Sequence, residues 1–387
     1  MNKHVTAGLN DDHIALRGMV HDFVDQRVIP VASELEAKNE YPTELVNELA
    51  ELGMFGITVS EEFGGSNVDY VSYGLIFEEL ARGWMALASL VYTTSSGGYL
   101  IDTFGTQEQK ERFLPELVEG KRMSGIALTE PSTGTDLKEI KLTARKDGDN
   151  YILNGSKIFI THARHADPLV ALVKTDPTAE PAHRGGMSLF LIEQGTPGFS
   201  FGSDYDKLGH RGLELCELIF EDAIVPSSNL LGGKEGEGFY QMMAALDRGR
   251  IYMAAAATGI TQASLERSIE YSQQRETFGK PIGEHQAIQL KLANMATAIE
   301  ASRLLYINAA LNTEANGRAS IESGMAKVFA TDMSVEMTYE AIKIHGGYGY
   351  IKEFPLERFF RDAALMPIGE GTNEMLRTLI ARQLLSE

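Results

Sequence analysis

The sharpest chemical feature of this 387-residue sequence is a run of four residues near its end, Gly369-Glu370-Gly371-Thr372. A carboxylate can serve as a general base when water is kept from it. Glycine on both sides removes side-chain bulk and frees the backbone for close approach, so a ligand could lie directly against Glu370. The run from Arg361 is helix-like, and Met375, Leu376, Leu379 and Ile380 behind it are apolar. Glu370 is therefore expected on a short break between two helices, the kind of loop on which rigid elements present catalytic groups. Taken alone, the segment also reads as a solvated loop, the commoner state of a glycine-flanked glutamate. A second charged pair, Asp247 and Arg250, stands three residues apart in a helical stretch and by itself reads as a helix-surface ion pair.

Other chemistries are thinly represented. One cysteine, Cys216, sits in an apolar stretch, so no intramolecular disulfide can form and the thiol reads as packing. No His or Cys spacing points to a metal, and none is expected. Lys+Arg 35 against Asp+Glu 54 gives a net charge of −19, which repels phosphate backbones and anionic membrane surfaces. Neither nucleic acid nor membrane is expected as a partner. The opening MNKHVTAGLNDD has an early acidic pair and no long apolar run, so no signal peptide is expected and a cytoplasmic protein is the default.

The elements that must position these residues fall into three blocks. Residues 1–122 read as an N-terminal α-helical domain. Leu16, Met19, Val20, Phe23 and Val24 follow helical spacing, Pro30 marks a kink or break, and helices are expected near Thr43–Leu52, Tyr70–Ala81, Ala86–Phe104 and Gln107–Leu117. Gly97-Gly98 weakens the third of these. Residues 123–234 read as a β-domain, a barrel or sandwich. There Asp147-Gly148 and Asn154-Gly155 each look like two-residue turns, predicting a three-stranded meander over 141–161. The glycine-rich GGKEGEG of 232–238 fits no phosphate-binding spacing and reads as a linker. Residues 235–387 read as an α-helical bundle, with Ile288, Leu292, Met295 and Ile299 at seam spacing and Pro281 between two long helices. The fold class is α+β, in the order α, β, α.

Across this layout four segments carry a family likeness. They are Leu128-Thr129-Glu130-Pro131-Ser132-Thr133-Gly134-Thr135-Asp136, Lys157-Ile158-Phe159-Ile160-Thr161, Arg275-Glu276-Thr277-Phe278-Gly279-Lys280-Pro281, and the stretch from Ile344-His345-Gly346-Gly347-Tyr348-Gly349-Tyr350 through Arg361-Asp362-Ala363 to Glu370-Gly371-Thr372. In order and spacing the chain resembles the acyl-CoA dehydrogenase family of flavoproteins. The resemblance implies FAD between the β-domain and the C-terminal bundle, and α,β-dehydrogenation of an acyl-CoA thioester to the trans-2-enoyl-CoA, as in fatty acid or amino acid catabolism. It also implies a homotetramer, and electrons passed to an electron-transfer flavoprotein.

Residue by residue, the resemblance makes Glu370 the base that takes the α-proton, with its own backbone N–H as one oxyanion donor. Some members carry the base on the first long C-terminal helix. The matching position is Gly249, which cannot accept a proton. Asp247, Arg250, Gly371 and Thr135 match substrate-side positions. Phe159 matches the aromatic residue against the flavin ring, and Thr161 the hydroxyl near its hydride-accepting nitrogen. Ile126, Leu128, Thr129 and Thr135 match contacts to the ring's polar edge. Arg275, Phe278 and Gln286 match residues that reach the dinucleotide of a neighbouring subunit, Gly346 and Gly347 let backbone approach it, and Thr372 and Glu374 match contacts past the base. Phe159, Leu128 and the threonines read equally as ordinary strand residues.

Three positions depart from the pattern. Lys343 stands where many members have Gln, and its ammonium could still pair with a pyrophosphate. Gly369 stands where several straight-chain members have Tyr, which opens space for a branched or bulky acyl group. Met85 falls near the position where glutaryl-type members carry Arg, which disfavours a dicarboxylic substrate. A flavin oxidase or monooxygenase on the same scaffold, a DNA-associated flavoprotein, and a dehydrogenase of carrier-protein thioesters are the competing readings.

Overall fold

The computed structural model describes residues 8–183 and 185–386, so the first seven of the twelve residues used in reading the leader lie outside the described residues. The N-terminal block contains α1 (Asp11–Phe23), α2 (Ile29–Lys38), α3 (Thr43–Glu51), α4 (Tyr70–Gly83), α5 (Met85–Phe104) and α6 (Gln107–Val118). Asn10 starts α1 by accepting a hydrogen bond from the His13 amide at 2.8 Å, while Asp11 and Asp12 favour its positive end. The break expected at Pro30 is absent. A π-turn, Val24–Val28, carries α1 into α2, and Pro30 occupies the first turn of α2, where a missing N–H costs nothing. Gly97-Gly98 likewise does not interrupt α5. A Cβ on Gly97 would sit 1.9 Å from the Ser124 hydroxyl, so the glycine is there to let the next element pack close.

That element is β1 (Met123–Ala127), the first of β2 (Thr143–Asp147), β3 (Asn150–Thr161), β4 (Ala166–Lys174), β5 (Met187–Ile192), β6 (Phe199–Asp204) and β7 (Leu215–Pro226). They form one sheet in the order β1-β4-β2-β3-β7-β6, with β5 branching from β4. The turn at Asp147-Gly148 is real: β2 and β3 pair antiparallel from Asp147↔Asn150. The second turn is not. β3 runs unbroken through Asn154-Gly155, and the glycine, at φ +139°, marks a register shift against β7. A Cβ there would meet the Leu142 Cα at 2.8 Å, so close approach, not chain reversal, is what requires glycine. Asn154 instead locks its side chain onto Asp222 in β7, donating to the carboxylate at 3.0 Å and accepting from the amide at 2.9 Å.

The C-terminal block is α7 (Gly238–Gln274), a short hairpin of β8 (Glu276–Thr277) and β9 (Lys280–Pro281), α8 (Gln286–Asn316), α9 (Ser320–His345), α10 (Leu356–Ala363) and α11 (Asn373–Leu384). The expected α, β, α order is thus observed. Met295 and Ile299 of the α8 seam are buried, with Ile288 and Leu292 packed beside them. One apolar core joins α4 and α5 to α7, α8 and α9, a second fills the sheet, and a third lies where helices meet strands. Cys216 is buried in β7. Among the described residues no helix is long and apolar enough to cross a membrane.

Candidate active site

Glu370 lies, as expected, between two helices, α10 and α11. The amides of Ile368 and Gly369 turn back to the Leu365 carbonyl at 2.9 and 3.1 Å, and the Asn373 amide bonds Pro367 O at 2.9 Å. Glu370 itself is left-handed, at φ +56°, followed by Gly371 at φ +87°. A non-glycine residue in that region costs roughly 1–2 kcal/mol and persists only where the surroundings hold it. Thr372 then caps α11, its hydroxyl accepting from Met375 N at 3.3 Å.

Glu370 as a whole residue is partly exposed, yet its carboxylate oxygen Oε2 is sealed from solvent and has no hydrogen-bond partner. The Tyr92 hydroxyl from α5 is in the same condition. Both crowd Gly249 of α7: a Cβ on that glycine would lie 2.3 Å from Oε2 and 2.3 Å from the Tyr92 hydroxyl. No well-formed bond joins the two groups. Burial pushes the Glu370 carboxyl above its usual range, while the adjacent hydroxyl and the charges of Arg250 and Lys327 pull the other way. Buried without a partner, poised upward in pKa and held in a strained loop, Glu370 has the attributes of a general base. The glycine at 249 is therefore a steric requirement of a base at 370, beyond its inability to hold a proton.

Asp247 and Arg250 are both buried, which sets aside the surface-pair reading. Arg250 Nη1 donates to Asp247 Oδ1, and Asp247 Oδ2 accepts from Arg318 Nε at 2.6 Å and Ser320 Oγ at 2.8 Å. Arg250 Nε keeps no partner.

On the β side, Ile126 pairs with Val170 on β1 and is half-buried, while Thr135 is exposed in the loop beyond. Thr129 O accepts from Ile158 N at 2.9 Å, which lays the Leu128–Thr129 segment along β3. Phe159 is 52% exposed with φ +58°, a bulky aromatic held outward in a left-handed backbone, and Thr161 beside it is half-buried. Phe159 is thus not the core strand residue that the alternating pattern allowed, whereas Thr161 pairs with Leu215 as the last residue of β3.

A third cluster forms at the far end of α7. A cavity of about 470 Å³ is lined by Arg275, Tyr271, Gly346, Gly347 and Tyr348, among others. A Cβ on Gly346 or Gly347 would meet nothing within 4 Å, so the cavity wall there is open backbone. Phe278 projects almost fully, at 98% exposure, and Gln286 is exposed at the start of α8. The Lys343 ammonium is taken up by Glu340 on its own helix. Glu374 is exposed on the first turn of α11. An outward apolar platform, an open polar loop and a cavity bounded by an arginine and bare glycine backbone fit a flat ring with an anionic dinucleotide tail.

Sequence reasoning missed three features. Lys157 is fully buried and donates to Leu128 O at 2.9 Å and Glu130 Oε1 at 2.8 Å, pinning the Leu128–Glu130 segment to β3. Burial holds this ammonium down to about 8 despite the Glu130 charge. Both partners lie inside quoted motifs, so the signal was present but unassigned. Tyr92 and Lys327 carried no local signal, because only packing brings them to Glu370. Finally, ligand atoms of His162, His165 and Glu214 lie within 4.8 Å of one another. Their rings stack in parallel with Tyr41, and Glu214 Oε1 already accepts from Arg164 N at 2.9 Å. The stack places the cluster where Tyr41 of the N-terminal block meets the sheet.

Two helical blocks flanking a sheet, a buried carboxylate between two helices and an outward aromatic on the sheet fit an FAD-dependent oxidoreductase. Three family models match the chain in order: the acyl-CoA dehydrogenase N-terminal domain over residues 10–121, its middle domain over 125–223 and its C-terminal domain over 236–385. An acyl-CoA dehydrogenase from Bacillus subtilis is 42% identical over 383 residues, covering 99% of both chains. A structure described as the electron transferring flavoprotein of Acidaminococcus fermentans is 41% identical, with TM-score 0.94 over 98% of this chain and 100% of that one. A glutaryl-CoA dehydrogenase from Mycobacterium smegmatis, solved in complex with FADH2, is 30% identical, with TM-score 0.92 over 98% and 96%. The chain belongs to the acyl-CoA dehydrogenase family.

Proposed function

We propose that this protein dehydrogenates an acyl-CoA thioester between its α and β carbons, with Glu370 as the base. The α C–H bond breaks toward Glu370, and the proton comes to rest on its carboxylate. Bound FAD supplies the acceptor for the β-hydride. The buried, unpartnered Oε2 of Glu370 is the single observation that carries the assignment. As substrate closes over it, loss of water raises the carboxyl further toward the working range. The Glu370 backbone N–H is the donor offered to the developing negative charge on the thioester oxygen. Arg250, Asp247, Gly371 and Thr135 are assigned to substrate. Ile126, Leu128, Thr129, Thr135, Phe159 and Thr161 are assigned to the ring, and Arg275, Phe278, Gln286, Lys343, Gly346, Gly347, Thr372 and Glu374 to the rest of the cofactor.

The decisive experiment is anaerobic bleaching of the bound flavin across a panel of acyl-CoA thioesters. Glu370→Gln should keep the yellow cofactor and lose about 10²–10⁴-fold in bleaching rate. Bleaching at the wild-type rate would remove Glu370 from the role. The missing side chain at Gly369 is what supports a branched acyl group beside the base, although a Cβ there would already meet the Met253 methyl closely, at 3.2 Å. Higher kcat/KM for straight-chain thioesters would reject that preference.

The same reading assigns an electron-transfer flavoprotein as acceptor, a homotetramer as the assembly, the cytoplasm as the compartment, and domains at 1–122, 123–234 and 235–387. Support for assembly comes from the outward aromatic and aliphatic side chains of the C-terminal block: Phe278 at 98% exposure, Tyr350 at 82% and Leu385 at 87%. A monomer mass in solution would reject the tetramer.

A further inference from the structure

Lys327, near the start of α9, is 0% exposed. Burying an ammonium is costly unless every N–H finds a partner. Here its three N–H groups meet Pro367 O at 3.2 Å, Gly371 O at 2.8 Å and Asn373 Oδ1 at 2.8 Å. No carboxylate bonds it. Two of its acceptors are backbone carbonyls that bracket the Glu370 turn, and the third opens the helix that follows. Asn373 is fixed in turn, donating to Thr331 Oγ1 at 2.9 Å and Asp332 Oδ1 at 2.7 Å.

We propose that Lys327 is the positioning residue of the reaction, its ammonium tying both sides of the left-handed Glu370 turn to α9 and so holding the carboxylate where the α-proton is taken. This rests on Glu370 being the base. The turn contains a left-handed glutamate at φ +56°, a conformation that relaxes unless its flanks are held. A single cation bonded to carbonyls on both flanks provides that restraint, and a carboxylate partner would spoil it by drawing the ammonium away.

The bond count also gives the restraint a pH dependence. An ammonium has three donors and a neutral amine two, so deprotonation releases one acceptor and turns a lone pair toward it. Burial holds Lys327 down to about 8, with Arg250 on α7 pushing the same way. Glu370 in the turn, Asp332 on α9 and Glu374 on α11 oppose this. The clamp is therefore intact below about pH 8 and loosens above it.

The test uses flavin-loaded protein and a β-thia acyl-CoA, which can lose its α-proton but has no β-carbon hydride to give. Exchange of that hydrogen into D₂O, followed by mass spectrometry, reads the base directly. Lys327→Met should slow exchange and kcat by about 100-fold, the scale of a 1 Å misplacement, with KM within threefold and flavin retained. Lys327→Arg, which keeps charge and donors, should recover at least tenfold of the loss. Wild type should lose exchange rate as pH rises through about 8, and Lys327→Arg should lose that limb. Full wild-type exchange in Lys327→Met, or an unchanged alkaline limb in Lys327→Arg, overturns the proposal. Should Lys327→Met fail to load flavin, the pH profile of the arginine variant decides alone. Glu370→Gln, run alongside, reports on the base separately: it abolishes exchange at every pH if the base is right, whatever Lys327 does.

Discussion

Two of the places where this molecule buries glutamate carboxylates treat them in opposite ways. On α4, Glu78 and Glu79 are each 1% exposed. Glu78 accepts from Arg303 Nη2 at 2.7 Å, Arg17 Nη2 at 3.1 Å and the Tyr306 hydroxyl at 2.5 Å. Glu79 accepts from Arg17 Nε and Arg82 Nε, both at 2.8 Å, and meets His21 Nδ1 at 2.9 Å. Burial would raise both carboxyls, but bonds and nearby cations overcome it, lowering Glu78 and bringing Glu79 to about 2. At Glu370 burial wins, because the cations near it form no bond to its oxygens. Desolvation is common to all three. What differs is the number of donors that touch the charge, and that number separates a structural carboxylate from a reactive one.

The contrast can be broken at its strongest point first. Glu78→Ala leaves buried Arg303 with only the half-exposed Glu300 to balance its charge and should destabilise by about 3 kcal/mol, read from the urea midpoint at constant slope. A loss under 1 kcal/mol would mean that the network holds no structural charge. Next in size is Gly249→Ala. Its new methyl must displace Glu370 Oε2 or the Tyr92 hydroxyl, so kcat/KM should fall by about 100-fold with flavin content unchanged. Normal turnover would show that the carboxylate has room this geometry denies it.

The two sites should also differ in the sign of their effect on stability. Glu79 is depressed from 4.5 to about 2, so the unfolded chain binds more protons between those values. Its contribution is full above pH 4.5 and is lost as pH falls toward 2. Glu370 is raised, so its contribution runs the other way, and ionising it costs the folded protein stability as pH rises above the unfolded value. Glu370→Gln should therefore be the smallest effect of the set, a gain of about 0.5–2 kcal/mol at neutral pH, at the expense of activity. A Glu370→Gln protein less stable than wild type would erase the distinction between the two places.

Much of this architecture was legible in advance. Helical spacing located α4, α5 and α6 to within a few residues, because a buried helix face imposes a period the sequence must show. The misreadings share one cause. At Pro30, at Gly97-Gly98 and at Gly155, residues that usually interrupt an element were accommodated by it. At both glycine sites the demand was contact distance, to Ser124 and to Leu142, rather than chain reversal. Local rules read backbone preference, and they cannot see what approaches from elsewhere in the chain.

The sequence by itself determined the order of the three blocks, the family motifs and the glycine-flanked position of Glu370. These depend on residue type and short-range spacing. Only the tertiary structure decided that Gly249 must be glycine, that the Tyr92 hydroxyl stands against Glu370, and that Lys327 reaches the Glu370 turn across 44 residues of chain. Each is a meeting of side chains from separate helices. The sum of packing across the whole core sets such meetings, and no local stretch of residues encodes them.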